Sequence, residues 1–197
     1  MQIYDRLYGE FSCAHDDERL FQTPELTRLR QVSLSAVPTW LTPTGVCASK
    51  FEHTIAVGHL ARIVGTIPAF QDIARDLYFA ALAHDVGTPP FSHISEHLLR
   101  RLLKRNHEEF VEEVIDGSEF AQEIVRQGGS LDRLLRFVTG KEPPYSDLLN
   151  GSIDIDNLDN TLRYGYSMGI LRSASLPYLP EWLAGSYRLH DGRLALD

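Results

Sequence analysis

Cysteine is scarce in this chain. Cys13 and Cys47 are the only two among 197 residues, and no Cys-x-x-Cys occurs. That excludes a disulfide framework and predicts two reduced thiols in a cytoplasmic protein. No apolar run is long enough to span a bilayer, so no membrane partner is expected. The N-terminus, Met1-Gln2-Ile3-Tyr4-Asp5-Arg6, lacks the basic start and apolar block of a secretory signal. Positive charge is also in deficit: 19 Lys and Arg against 27 Asp and Glu give a net charge of −8 with neutral His. A broad nucleic-acid surface wants the opposite sign. A small phosphorylated substrate is still allowed, because a bound cation and a few local Arg or Lys reverse the sign inside one pocket.

What is present fits one soluble domain with a sizeable core. Hydrophobic residues make up 43% and charged residues 23%, both ordinary values. No internal repeat or low-complexity segment appears. Residues 1–22 read as an irregular N-terminal segment. Thr23-Pro24-Glu25 then reads as a helix start, with Thr as N-cap and Pro in the first turn. Pro38, Pro43 and Gly45 mark a loop. Residues 51–66 read as a central helix with little polar surface, in which His53, Val57, Leu60 and Val64 share one face.

Residues 70–85 read as a second buried helix, which Gly87, Pro89 and Pro90 stop just after His84-Asp85. Residues 92–105 read as an amphipathic helix with Ile94, Leu98, Leu99 and Leu102 inside and a basic last turn that suits the helix dipole. Asn106 and Glu109 resemble a capping box, and Ser118 and Ser130 are caps for two more helices, closed by glycines. Ile153 to Tyr164 reads as a helix with an acid-rich start. Leu189 to Leu196 reads as a hairpin around Asp191-Gly192. The fold class is therefore all-α, a helical bundle with a small C-terminal β-hairpin.

Ala83-His84-Asp85-Val86-Gly87-Thr88-Pro89-Pro90-Phe91-Ser92-His93 is the stretch around which the rest is organised. It offers an imidazole and a carboxylate side by side, which alone is weak evidence. His53 alone on an apolar face reads as a satisfied core histidine. Asp154, Asp156 and Asp159 alone read as first-turn acids at a helix dipole. Together they assemble four ligand-capable groups: His53, His84, Asp85 and an acid near the start of the Asp154–Tyr164 helix. Two imidazoles and two carboxylates suit Mn, Fe, Zn, Ni, Co or Mg better than a thiolate-seeking ion.

Lys50-Phe51-Glu52-His53-Thr54, the His84-Asp85 to His93 stretch and Ile153-Asp154-Ile155-Asp156, in that order, resemble the HD-domain phosphohydrolases. The branch most similar is that of the deoxynucleoside triphosphate triphosphohydrolases, and Thr23-Pro24 with Arg28-Leu29-Arg30 fits it too. The resemblance implies an HD core over residues 23–175 and a C-terminal segment, 176–197, that ends in the hairpin. It assigns a divalent metal ion to His53, His84, Asp85 and Asp156, choosing Asp156 over its neighbours. It implies hydrolysis of a (deoxy)nucleoside triphosphate to nucleoside and triphosphate, by water attack on the α-phosphorus. Asp85 would orient the water, and His107 with Glu96 would handle a proton.

The resemblance puts the polyphosphate grip at Lys50, Asn157 and Asn160, where relatives commonly carry Arg, Lys and Tyr, with Arg163 as a further cation. Thr88 stands where many relatives have His, and Ser33-Leu34-Ser35-Ala36-Val37 replaces a stretch that touches the sugar. Longer relatives continue beyond the hairpin, and a homo-oligomer is a family expectation. The alternatives are a nucleoside monophosphate phosphatase or phosphodiesterase of the same superfamily, or a nucleotide-binding regulatory module without catalysis.

Overall fold

A computed structural model describes residues 1–35, 48–104, 107–172 and 180–197, apart from the side chains at 93, 94, 96, 107 and 108. Two antiparallel helices form its centre: α3 (Lys50–Gly65) and α4 (Ala74–Ala83). Ser49 starts α3 with a capping box, its hydroxyl accepting from the Glu52 amide while the Glu52 carboxylate accepts from the Ser49 amide. Two glycines let the helices approach closely. A Cβ at Gly58 would come within 2.9 Å of Leu82, and one at Gly65 within 2.7 Å of the Ala74 Cβ. Leu60, Leu77 and Leu82 are fully buried between and around these helices. Truncating any of them to Ala is expected to cost about 2–5 kcal/mol.

The remaining helices wrap this pair. α1 (Asp17–Phe21) and α2 (Pro24–Arg28) precede it, and α2 runs on into a 3-10 turn, Leu29–Gln31. α5 (His93–Leu103), α6 (His107–Ile115), α7 (Glu119–Arg126), α8 (Leu131–Val138) and α9 (Asp147–Asn150) follow. Ser118 and Ser130 cap α7 and α8 as expected, each accepting from a backbone amide three residues on. Gly117, Gly128 and Gly140 adopt positive φ where the preceding helices end. α10 (Ile155–Ser167) lies against α3, and α11 (Pro180–Gly185) packs on both. The strands β3 (Tyr187–His190) and β4 (Arg193–Leu196) form the C-terminal hairpin about Asp191-Gly192. Tyr187 anchors it by donating its hydroxyl to the Ile153 carbonyl at 2.9 Å.

Two expectations need correcting. Residues 1–22 are not irregular: β1 (Gln2–Asp5) and β2 (Gly9–Ser12) pair as an antiparallel hairpin, and α1 follows. The turn is built by Asp5, whose carboxylate accepts from the Leu7 and Tyr8 amides, with Gly9 at positive φ. No Asn-Gly or Asp-Gly pair announces it. Nor is the apolar face of α5 wholly inside. Leu98 and Leu102 are 55% and 66% exposed, so amphipathic spacing correctly gave a helix but not its cover. The Asn106 cap, Ala36-Val37 and Cys47 lie outside the described residues. Among the described residues, no helix is long and apolar enough to cross a membrane.

Candidate metal centre

Three elements deliver four side chains to one point. His53 projects from the first turns of α3 and is fully buried. His84 caps the C-terminus of α4, and Asp85 follows in the turn. Asp156 sits in the first turn of α10, with its side chain 33% exposed. The two imidazole Nε2 atoms lie 3.3 Å apart. Asp156 Oδ1 is 2.9 Å from His53 Nε2 and 3.8 Å from His84 Nε2. Asp85 Oδ2 is 3.6 and 3.3 Å from the same two nitrogens.

The far nitrogens fix how these rings present themselves. His84 Nδ1 is 2.7 Å from the Ala81 carbonyl, which can only accept, so Nδ1 carries the proton and donates. His53 Nδ1 lies 2.6 Å from Asp159 Oδ2 and donates likewise. With both rings neutral, each would point its Nε2 lone pair at the other. Two lone pairs at 3.3 Å repel unless something positive stands between them. Burial opposes protonation of His53, but the hydrogen bonds and charges of Asp156 and Asp159 outweigh it and raise its pKa to about 9. Burial likewise opposes protonation of His84, and Asp85 reverses the balance. Asp85 stays ionised despite its burial because Lys50 and the two histidines hold its pKa well below the carboxylate range. The pocket is built to hold positive charge.

A divalent cation fits that demand. His53, His84 and Asp156 offer ligand atoms that all lie within 4.8 Å of one another. Ligands about 2.1 Å from a shared ion stand roughly 3–3.4 Å apart, which is the spacing of the two Nε2 atoms. Asp85 Oδ2 is buried with no hydrogen-bond partner in good geometry among the described residues, although the Lys50 ammonium is 2.8 Å away. Two imidazole nitrogens and two carboxylate oxygens are a borderline-to-hard donor set.

Behind His53 stands a network that the sequence did not announce. Asp159, fully buried, accepts from His53 and from both Arg163 Nε and Nη2 at 2.9 Å. It also accepts from the Tyr8 hydroxyl at 2.8 Å. Arg163 reaches on to Asp5 at 3.0 Å. Burial resists ionisation of Asp159, yet Arg163 and His53 hold its pKa far down. This is the carboxylate–histidine arrangement that fixes a ligand's tautomer and orientation. Arg163 is thus enclosed behind His53 between Asp159 and Asp5, and the expectation that it grips polyphosphate is corrected. Its guanidinium is 3% exposed and engaged by two carboxylates. The available signal was spacing: Asp156 and Asp159 share a helix face at i, i+3, and Asp159 and Arg163 pair at i, i+4.

The other expected residues divide. Lys50 is inside the centre, on Asp85. Asp154 caps α10, its carboxylate accepting from the amide and the side-chain nitrogen of Asn157 at 2.6 and 3.0 Å. Asn160 lies half-buried one turn beyond Asp156. The side chains of Glu96 and His107 lie outside the described residues. Thr88 donates its hydroxyl to Asp85 Oδ1 at 2.7 Å. Arg28 clamps the same loop, donating to the Thr88 and Val86 carbonyls at 2.9 and 2.7 Å. The Thr-Pro segment therefore serves the centre by holding the turn that carries Asp85.

An uncharacterized protein of Bacillus subtilis, YwfO, is 30% identical over 77% of this chain. A Dictyostelium discoideum homologue of the deoxynucleoside triphosphate triphosphohydrolase SAMHD1 is 29% identical over 85%. The chain spans 36% of the length of each of these relatives. Among solved structures, a hypothetical protein from Aquifex aeolicus superposes with a TM-score of 0.80 at 29% identity, over all of this chain and 53% of its own. A phosphohydrolase from Bacteroides thetaiotaomicron shares the fold with a TM-score of 0.78 at 20% identity, over all of this chain and 49% of its own. The HD domain model matches residues 51–163, from the start of α3 to Arg163 on α10. A match over more than half of the sequence settles the family: this chain belongs to the HD domain proteins.

Proposed function

We propose that this chain is a metal-dependent phosphohydrolase acting on nucleotides, and that it hydrolyses a (deoxy)nucleoside triphosphate to nucleoside and triphosphate. The observation that carries the reading is the pair of Nε2 atoms 3.3 Å apart, flanked by two carboxylates. The name of the Dictyostelium relative points to the nucleotide class. His53, His84, Asp85 and Asp156 would hold the divalent ion. When bound, such an ion supplies acidification of water and neutralisation of charge on phosphorus.

The chain's own residues do the rest. Asp159 and Ala81 hold the two rings in the tautomers that present Nε2. Asp85 would orient the attacking water from the dry side of the centre. Lys50 would offer a point charge to a phosphate oxygen, and Asn160 and Asn157 would line the approach along α10. As water oxygen bonds to the α-phosphorus, the bond to the nucleoside 5′-oxygen breaks. That oxygen then takes a proton, assigned here to His107 assisted by Glu96. A homo-oligomer belongs to the same reading, since Leu98, Leu102 and Leu103 stand exposed on α5.

One observation favours a second reading, a nucleotide-binding regulatory module. Thr88 spends its hydroxyl on Asp85, so it is not free for proton transfer. A single experiment decides. Protein loaded with Mn is offered dNTPs, rNTPs and monophosphates, and products are separated by chromatography. Triphosphate release supports the proposal, inorganic phosphate or ring opening supports another superfamily activity, and a raised melting temperature without turnover supports the regulatory module.

A further inference from the structure

The α3–α4 pair has a second end. Arg62 follows His53 by nine residues on α3, about 13 Å along the axis, and Tyr78 precedes His84 by six on α4. There the helices open on a cavity of about 430 Å³, large enough for a metabolite, and lined by Arg62, Arg75, Arg126, Tyr78, Asp16 and Asp17 among others. None of these belongs to the centre described above.

The polar groups of this cavity are unequally satisfied. Both acids are engaged: Asp17 accepts from Arg62 and from the Ala14 amide, and Asp16 faces Arg126 at 3.4 Å. The donors are not all used. The Tyr78 hydroxyl is buried beside the Asp17 carboxylate but makes no hydrogen bond of good geometry among the described residues, and neither does the buried Nε of Arg62, whose guanidinium lies 4.2 Å over the Tyr78 ring. Arg75 is exposed and makes one long bond, 3.3 Å, to the Gly128 carbonyl. Burial foremost, with Asp17 beside it, raises the Tyr78 pKa, so the phenol stays a neutral donor. A buried donor without an acceptor costs free energy that a ligand with acceptor oxygens would recover.

We propose that this cavity is a second binding site, for a phosphate-bearing anion. Its own acceptors, Asp16 and Asp17, are already taken up by Arg126 and Arg62, and the remaining donor capacity of Tyr78, Arg62 and Arg75 calls for further acceptors, which a phosphate brings and a cation or an apolar ligand does not. Arg62, Tyr78 and Arg75 approach from two helices, and a tetrahedral oxyanion offers oxygens to donors arriving from several directions where a planar carboxylate offers two. The Tyr78 and Phe79 rings line the same cavity and give a non-phosphate portion of the ligand an apolar wall.

Calorimetric titration of the full chain with inorganic phosphate and tripolyphosphate, with succinate as the planar control, tests this. Both phosphates are expected to bind in wild type and equally in His53→Ala. Tyr78→Phe and Arg75→Gln are each expected to weaken binding about tenfold, with circular dichroism unchanged. Arg75→Gln, at an exposed position, keeps the test open should Tyr78→Phe fold poorly. The proposal is overturned by an absence of binding, by succinate binding as tightly as phosphate, or by binding that His53→Ala abolishes while Arg75→Gln does not.

Discussion

The two ends of the α3–α4 pair are made of the same material and finished differently. At the His53 end, the N-terminal hairpin, α2, the His84–Thr88 turn and α10 all converge, and the ionisable side chains are tied to one another around one acceptor without a hydrogen bond, Asp85 Oδ2. Tyr8 and Asp159 lie 151 residues apart and meet at 2.8 Å. At the Arg62 end, the acids are satisfied and the donors are left over. One end is an over-determined scaffold that holds two rings in a fixed orientation. The other is a set of donors with room between them. Burial of ionisable groups therefore has different consequences at each end, and substitutions separate them.

The largest effect is expected from Asp159→Ala. It strands Arg163 in the interior and frees the His53 ring. A loss of about 3–5 kcal/mol in denaturant unfolding is expected, together with about 10- to 100-fold weaker metal binding. Next comes Arg28→Met, which removes two charged donors from the turn carrying Asp85. It should cost about 1.5–3 kcal/mol and lower metal affinity, measured by competition with a chelating dye. Tyr8→Phe is smaller, about 1 kcal/mol, because Arg163 still satisfies Asp159. Arg75→Gln, at the other end, should leave stability within about 0.5 kcal/mol of wild type. If Arg75→Gln destabilised as much as Tyr8→Phe, the contrast between the ends would disappear.

What was legible in the sequence follows from what is local. Ser118 and Ser130 act within one helical turn, so their caps could be read from spacing, while the Ser49–Glu52 capping box, equally local, was not read. Helix periods and ends brought His53 and His84-Asp85 forward as ligand candidates together with an acid near the start of α10, and only the resemblance to HD-domain phosphohydrolases chose Asp156 among its neighbours. The backing of His53 was not legible. Asp159 had a satisfactory local explanation as a helix-dipole acid, and its partners come from the other end of the chain. Arg163 was misread for the same reason, since an i, i+4 pair on a surface helix and one in the core have identical spacing. The N-terminal hairpin escaped because its turn uses an Asp5 side chain rather than a glycine-paired signature. Leu98 and Leu102 show a further limit: periodicity marks an apolar face without saying what lies against it.

The central claim is that distant segments converge to clasp one divalent ion. Mass spectrometric metal analysis tests it most directly, on protein loaded with Mn and freed of excess by gel filtration. About one equivalent is expected in the wild type and next to none in a His53→Ala/Asp156→Ala variant of unchanged helicity. A wild-type protein that retains no transition metal and cannot rebind Mn, or a double variant that binds as well as the parent, would contradict it.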